Sequence, residues 1–576
     1  MDKAMVQTTL KIINPVADGA ADQADAERHP AAKRPKTLDG KRIGLYWNGK
    51  NNGDIALRMV QDKLAKRFKN VTFNFIVGEN GGITRYASPA QLDMMKQEID
   101  VCIATTADCG SCTSWLIRDM CELERRGIAT VGYTAEVFDE DAHFSCKTFG
   151  VPEACPVIVP QTFTNRTEPE LQKLVDDSFE KVIEGLTKDR EAMAALPQFE
   201  HVVIGQAPEL DYDGLDQLDA WDNMTTDFIK RGWSDGMPLV PPTPEKVAAM
   251  IKASGRPGDE VVGKFAPGFG IGTVSKIAAN AVMAGCKPAA MPVIMAMMDC
   301  ALDASIGLRT WAMSTGPQFP LVLVSGAITK EIGMNSGVCA LGPGSISQVN
   351  VSIGRALRLI MMNVGHSYPG VSDMDTIGSA GKFSACVAEN EARNPWKPYR
   401  VEQGFDASES TVTINVPYGQ TEFFDFHNSD AEKLIENFAT VTSNACASPN
   451  SGMWLIKKGG PRDSGYPFNG LFQNLIMMCP EHAQVFADAG WSTDDIKMKL
   501  YKQSKMPFGK LMLNKPQDLF TTLHPKMTWL LDRPETEVPV YNGPECFDII
   551  VVGGDAGRSL FFIGGTHSVT KAIRRV

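Results

Sequence analysis

The sequence predicts an α/β protein, with an N-terminal flavodoxin-like parallel sheet followed by a larger mixed α/β domain. Two patterns and the length carry this reading. Between residues 40 and 163, short apolar runs of strand length alternate with segments whose apolar residues recur every three to four positions. Such alternation implies right-handed crossovers and a parallel sheet, with ligands bound outside the carboxyl ends of the strands. Beyond residue 411 short strands such as TVTINVPY mix with helices, and 576 residues exceed one ordinary domain.

Residues 1–39, rich in Ala, Asp, Lys and Pro, read as a mostly disordered leader. Residues 40–163 form the first domain. RIGLYW at residue 42 is its first strand and ends in Asn48-Gly49-Lys50-Asn51-Asn52-Gly53-Asp54, with Asp54 expected to cap the following helix. Residues 71–77 make a second strand, and Ser88-Pro89 starts a helix. VCIA at residue 101 is a third strand, followed by a helix over 113–126. ATVGY at residue 129 and PVIVP at residue 156 supply strands four and five, with a helix over 135–149 between them. Residues 164–206 read as a helical connector with a boundary near 194–206, and 207–576 as one large α/β substrate domain. There the Pro run after Gly236 gives an extended segment, and Thr273 starts a helix. Gly342-Pro343-Gly344-Ser345 precedes a long helix through Asn363 that carries Asn350, Arg355 and Arg358. The Gly-rich loop 263–272 is not a P-loop, because no Gly-Lys-Ser/Thr follows. The run FDIIVV at 547 leads to Gly553-Gly554-Asp555, too near the end for a complete dinucleotide-binding unit.

The chemistry concentrates at Asp108-Cys109-Gly110-Ser111-Cys112, between the third strand and its helix. Free N–H groups and the positive helix end favour a thiolate there, so Cys109 is expected to be the more acidic thiol. Cys112 is close enough to resolve an adduct or close a disulfide. Half of a zinc knuckle and two buried structural cysteines are the alternatives. The nearest other ligand types, Cys121, His143, Cys146 and Cys155, form no second zinc-type pair. The same sheet edge collects Asn48, Lys50 and Asn51 after strand one, with Ser111 in the Cys turn and Thr134 after strand four, as substrate contacts. In the second domain His366, with Asp373 or Asp375 as its orienter, is a candidate catalytic base. Arg355, Lys382 and Glu389 are candidate substrate contacts. Cys386 and Glu389 are read as one helical turn apart.

A net charge of −11 argues against nucleic acid and anionic membrane surfaces. No apolar run is long enough to span a bilayer, and no secretory h-region stands at the N-terminus. Thirteen scattered cysteines suit a reducing cytoplasm, and 27 methionines read as adaptable core filling.

Several stretches resemble the UGSC-like family, named for a selenocysteine-Gly-Ser-Cys motif. They are Trp47-Asn48-Gly49-Lys50-Asn51-Asn52-Gly53-Asp54, Asp108-Cys109-Gly110-Ser111-Cys112-Thr113-Ser114-Trp115, Glu122-Leu123-Glu124-Arg125-Arg126-Gly127-Ile128 and the PVIVP strand. The motif's context is also similar to the selenoprotein B component of glycine and betaine reductases, whose selenolate attacks substrate carbon in a reductive cleavage. This resemblance implies Cys109 at the selenocysteine position as nucleophile and Cys112 as resolving thiol. The further cysteine of those reductases is replaced here by Thr113-Ser114-Trp115. Residues 216–576 resemble a domain of uncharacterised bacterial proteins. The expectation is therefore a cytoplasmic, homo-oligomeric, thiol-dependent oxidoreductase or lyase. It would act on a small molecule, with a thiol reductant as partner, no certain cofactor and a metal left open. The alternatives are a non-redox lyase or hydrolase with its active site in the C-terminal domain, and a metal- or cofactor-binding carrier.

Overall fold

The structure is a computed structural model that describes residues 8–19, 28–78, 86–189, 208–444, 451–455, 473–513, 523–565 and 567–574. In chain order the first unit contains β1 (Thr8–Ile13), β2 (Arg42–Trp47), α1 (Gly53–Arg67), β3 (Thr72–Val77), α2 (Pro89–Glu98), β4 (Val101–Ala107), α3 (Gly110–Arg125), β5 (Ala129–Ala135), α4 (Asp139–Thr148), β6 (Cys155–Val159) and α5 (Glu168–Thr187). Strands β2 to β6 form one parallel sheet in the order β3-β2-β4-β5-β6. Leaving β1 aside, this is the 2-1-3-4-5 order of the doubly wound, flavodoxin-like arrangement. The inner strands β2, β4 and β5 are buried on both faces because helices cover both. Ile43, Leu45, Val101 and Ile103 pack with Leu57 and Leu64 of α1 and Leu174 and Val182 of α5. Tyr46, Cys102 and Ala104 pack with Leu92 of α2, Met120 of α3 and Ala142 of α4 on the other side.

Helix α5 falls in the stretch expected to be a connector, yet it belongs to this sheet. Leu171, Leu174, Val175, Phe179, Val182 and Leu186 give it a continuous apolar stripe that buries against Tyr133 and Phe163. The expected boundary at 194–206 lies outside the described residues. The leader also departs from expectation where it is described. Residues 8–13 form β1, paired antiparallel with β7 (Glu209–Gly214) some 200 positions away. Arg34 is buried against Glu124 of α3, with Nη1 and Oε2 2.6 Å apart. Local composition conceals such order because its hydrogen-bond partners are remote in sequence.

The second region continues with α6 (Gln217–Lys230), α7 (Pro244–Ser254), β8 (Val261–Phe265), β9 (Gly270–Thr273), α8 (Val274–Met283), α9 (Met291–Ala301), α10 (Leu308–Ala312), β10 (Leu321–Ser325), α11 (Ile328–Glu331), α12 (Gln348–Asn363), β11 (Cys386–Ala388), α13 (Tyr399–Glu402), β12 (Thr411–Asn415) and β13 (Pro417–Phe424). It ends with α14 (Ala431–Asn444), β14 (Asn474–Met478), α15 (Pro480–Asp488), α16 (Thr493–Gln503), β15 (Lys505–Pro507), α17 (Phe508–Leu511), β16 (Glu537–Pro539), β17 (Phe547–Val551), β18 (Arg558–Gly564) and β19 (Val569–Ala572). Two four-stranded mixed sheets organise it, in the orders β11-β10-β12-β19 and β13-β18-β14-β17. The TVTINVPY stretch passes from one to the other, since β12 and β13 are separated only by the buried Val416. Met291, Met295, Met297, Met298, Met361 and Met362 sit in the core shared by α8, α9 and α12. Among the described residues no single helix is long and apolar enough to cross a membrane.

Candidate functional site

Helix α3 begins at Gly110, three residues before the periodic apolar pattern does, which places Cys109 in the N-cap position with extended backbone. Its Sγ accepts the Cys112 backbone N–H at 3.3 Å, and the Ser111 hydroxyl lies 3.7 Å away. The Cys109 carbonyl takes the Thr113 N–H and hydroxyl, both at 2.8 Å. A sulfur so placed meets the unpaired N–H groups and positive end of the helix, which favour its thiolate. Cys109 is half-buried and Cys112 fully buried, and a disulfide joins them across a Cα–Cα separation of 5.2 Å.

The turn lies at the point where strand order reverses. The loop after β2 and the turn after β4 flank this point, the place at which doubly wound sheets bind ligands. Asn48 spans it, donating from Nδ2 to the Thr106 carbonyl at 2.8 Å while Oδ1 accepts the Thr106 N–H at 3.0 Å. Beside it stand Lys50 and Asp108. Burial pulls the Lys50 ammonium below its usual range, partly offset by Asp108. Burial likewise pushes the Asp108 carboxyl up, although the Thr164 N–H and hydroxyl donate to it, each at 2.8 Å. Asn51 is half-buried in the same loop. Thr134 is fully buried on β5, and its hydroxyl has no partner among the described residues.

The second region closes over this edge. A Cβ on Gly110 would overlap the Met313 carbonyl oxygen and stand 2.9 Å from Met374 Cβ, so only glycine allows this approach. Arg309 of α10 fastens the junction. Its Nε donates to Ser114 Oγ of α3 at 2.6 Å, Nη2 to Ser145 Oγ of α4 at 3.3 Å, and Nη1 to the Pro267 carbonyl. The guanidinium also lies over the Phe149 and Phe269 rings, 4.5 and 5.3 Å from their centroids. Burial pushes the nearby Asp141 carboxyl well up, against the attraction of Arg309 and a hydrogen bond from Ser145. One residue along from each glycine contact, Ala312 and Asp373 line a small cavity of about 10 Å³, room for about one water, with Trp311, Gln318, Pro320, Arg358, Met361 and Lys382. Lys382 Nζ is 2.8 Å from both Asp373 Oδ1 and Asp375 Oδ2, and Arg358 Nη1 is 3.0 Å from Asp373 Oδ2.

Residues 11–188 match the UGSC family. The match takes in the whole five-stranded sheet, the Cys turn and α5, and also the second half of β1. No curated protein and no solved structure matches the chain.

Several expected site residues lie away from the UGSC turn or are engaged elsewhere. Arg355 makes a two-pronged pair with Asp235, at 2.7 and 2.8 Å, and fastens the Pro-rich stretch through the Pro238 carbonyl. Glu389 is buried among Ser325, Asn394 and the Tyr399 N–H, and burial pushes its carboxyl up. Cys386–Ala388 is a strand rather than a helix, so Cys386 and Glu389 do not share a helical face. His366 is 1% exposed, and its Nε2 meets the Ala17 carbonyl at 2.8 Å. Asp373 and Asp375, expected to orient it, instead hold Arg358 and Lys382. Of the second-region candidates, Lys382 and Asp373 line the small cavity beside Met313 and Met374.

Asp54 caps nothing, because the N-cap of α1 is Asn52 in a left-handed conformation, with Nδ2 tied to the Phe163 and Arg166 carbonyls. Arg309, Trp311 and Gln318 carry no motif in sequence. The Ser314-Thr315-Gly316-Pro317 turn between them is the only local sign that the chain bends there. Among the described residues no group of three His, Cys, Asp or Glu side chains is placed to hold a metal ion.

Proposed function

We propose that this protein is a thiol-dependent enzyme in which Cys109 attacks a small molecule and Cys112 resolves the product. The observation that carries the reading is the Cys109 sulfur at the α3 N-cap, holding the Cys112 N–H at the reversal point of a parallel sheet. In a reductive cleavage the Cys109 thiolate displaces a leaving group X from carbon and forms a thioether. The Cys112 thiolate then attacks the Cys109 sulfur, the C–S bond breaks, and the carbon takes a proton. The balance is R–X plus two thiols giving R–H, HX and the Cys109–Cys112 disulfide. An external dithiol must return the pair to the reduced state. The partly buried Lys50 and Asp108 stand on the same rim as groups able to hold a proton there.

The test uses reduced full-length protein. Cys109 should alkylate at neutral pH at least about tenfold faster than an unperturbed thiol, as a lowered thiol pKa requires. Incubation of the Cys112→Ser protein with a small-molecule extract should leave a covalent mass increase on Cys109. Ordinary alkylation of Cys109 together with no adduct would remove the reading.

A further inference from the structure

We infer that Cys479 is a second reactive cysteine, a site of oxidation by hydrogen peroxide, with His482 as its proton donor. The inference stands apart from the Cys109 reading and concerns the other end of the chain.

The sheet β13-β18-β14-β17 brings the parts together at one edge. Strands β14 and β17 run parallel, and Cys479 follows β14 directly, at the carboxyl end where such strands present their chemistry. Cys479 is also the N-cap of α15, which opens with Pro480-Glu481-His482. His482 is thus the third helical residue, whose side chain reaches back toward the cap. Its imidazole hydrogen-bonds the Cys479 sulfur. Ser559, at the start of β18, stands between the two. Its Oγ accepts the Cys479 N–H at 2.9 Å and lies 2.7 Å from His482 Nδ1, and its hydroxyl also hydrogen-bonds the sulfur. On the other side of the ring, Nε2 is 3.0 Å from the Asp425 carbonyl oxygen. A carbonyl only accepts, so Nε2 carries a hydrogen and Nδ1 is the nitrogen that takes the thiol proton.

Burial opposes charge on both groups, yet their mutual contacts prevail: the Cys479 thiol is held below its usual value and His482 above its own. The Asp425 carboxylate adds to the attraction on the imidazolium. It is itself held by the His427 and Asn428 N–H groups and by the Asn428 and Asn437 side-chain amides. Cys479 and His482 are each 3% exposed, while Glu481 between them and Arg558 beside Ser559 are exposed, so the pair lies one residue beneath the surface. Glu481 Oε2 accepts the Ala556 and Gly557 N–H groups, at 2.8 and 2.7 Å, and fastens that loop against the helix start. Such cover keeps out bulky alkylating agents. Hydrogen peroxide, little larger than water, is the electrophile small enough to enter by local opening.

The thiolate sulfur attacks one peroxide oxygen and the O–O bond breaks. The departing oxygen takes the proton from His482 Nδ1 and leaves as water. Thiolate, hydrogen peroxide and imidazolium thus give sulfenic acid, water and neutral imidazole; sulfur loses two electrons and the peroxide gains them.

The test exposes reduced full-length protein to excess hydrogen peroxide at neutral pH and quenches it with catalase. The protein is then unfolded in excess dimedone, which traps sulfenic acids for peptide mass spectrometry. Trapping after unfolding makes every cysteine equally open to the probe. Cys479 should label at least about tenfold faster than Cys286 and Cys300, which are also buried but remain thiols. His482→Gln, whose amide N–H keeps the Asp425 contact, should slow Cys479 about tenfold, the loss expected when a thiolate reverts to a thiol. Labelling of Cys479 no faster than that of Cys286 and Cys300 in the parent protein would overturn the inference, whether or not the variant folds. Fast labelling that persists in a His482→Gln protein with parental circular dichroism would overturn it too.

Discussion

Cys109 differs from most other described cysteines in what its sulfur meets. Burial pushes the Cys286 and Cys300 thiols up to about 12, and their sulfurs face the Ser352 and Val412 carbonyls. Cys102 and Cys386 are pushed higher still by the same cause. Cys109 instead meets a helix start. Cys479 is the other exception: burial opposes its thiolate but the neighbouring His482 prevails, and the residue is 3% exposed. Cys339 is an exposed free thiol, so alkylation of the native reduced protein should mark Cys109 and Cys339 and spare the buried thiols. A different residue-scale consequence concerns Asp119, which accepts from Tyr46 Oη at 2.9 Å and from the Ala87 N–H at 3.0 Å. Burial outweighs these contacts and pushes its carboxyl from 3.8 up to about 6. The folded state thus holds a proton that the unfolded chain releases. The Asp119 contribution is fully present below pH 3.8 and is lost as pH rises through about 6. Over that window it should amount to roughly 3 kcal/mol, at about 1.4 kcal/mol per unit. Denaturant unfolding at pH 4 and pH 7 should show a flatter stability profile for Asp119→Asn than for the parent chain.

At the scale of elements, the start of α3 decides most. Periodicity placed its first residue near Thr113, but the helix opens at Gly110 because the cysteine sulfur serves as its cap and Gly110 must pass the Met313 carbonyl. Glycine to alanine inside a helix ordinarily stabilises by about 1 kcal/mol. Here the added methyl overlaps a backbone oxygen that cannot rotate away, so the sign should reverse. Gly110→Ala is expected to lose about 1–3 kcal/mol to strain and to loosen the cover over Cys109. Urea denaturation would measure the first effect and a faster Cys109 alkylation rate the second; an unchanged or increased stability would deny that the two regions touch there. Helix α5 makes the complementary point. Its apolar stripe was visible in the sequence, but the partner of that stripe was not, so it passed for a connector.

For the whole molecule, the junction between the UGSC segment and the second region depends on a few polar contacts across a tight interface. Arg309 is the most engaged, reaching α3, α4 and the Pro267 carbonyl at once, with Asp141 behind it. Arg309→Met keeps the stem but removes the charge and the hydrogen bonds. The expected loss is on the order of 3 kcal/mol, the usual consequence of leaving buried polar groups without their cation. Two separated thermal transitions, in place of one, would show that the junction rather than either core had failed. The strap formed by β1 and the segment through Ala17 works in the same direction. Lys276 Nζ donates to the Asn14 carbonyl at 2.8 Å and Asn280 Nδ2 to the Pro15 carbonyl at 3.0 Å, so residues before the first sheet are fixed to α8.

The five parallel strands, their helices and the position of the Cys109–Cys112 pair were legible because they rest on local information: apolar period, strand length, caps and a motif between two elements. The position of Asn48 and Lys50 at the carboxyl edge of the sheet followed from the parallel strand order. The ordered strap, the true allegiance of α5, and the fates of Arg355, His366 and Glu389 were not legible, because each depends on a partner fixed only when remote segments pack. The same is true of the small cavity. Trp311, Gln318 and Arg358 lie in separate segments, and nothing in their spacing says that they line one cavity. The amino-acid sequence by itself determined where a reactive sulfur could be generated, since a helix start needs only its own neighbours. What that sulfur faces was decided by tertiary structure, since burial, charge balance and the close approach at Gly110 are properties of chain segments some two hundred residues apart.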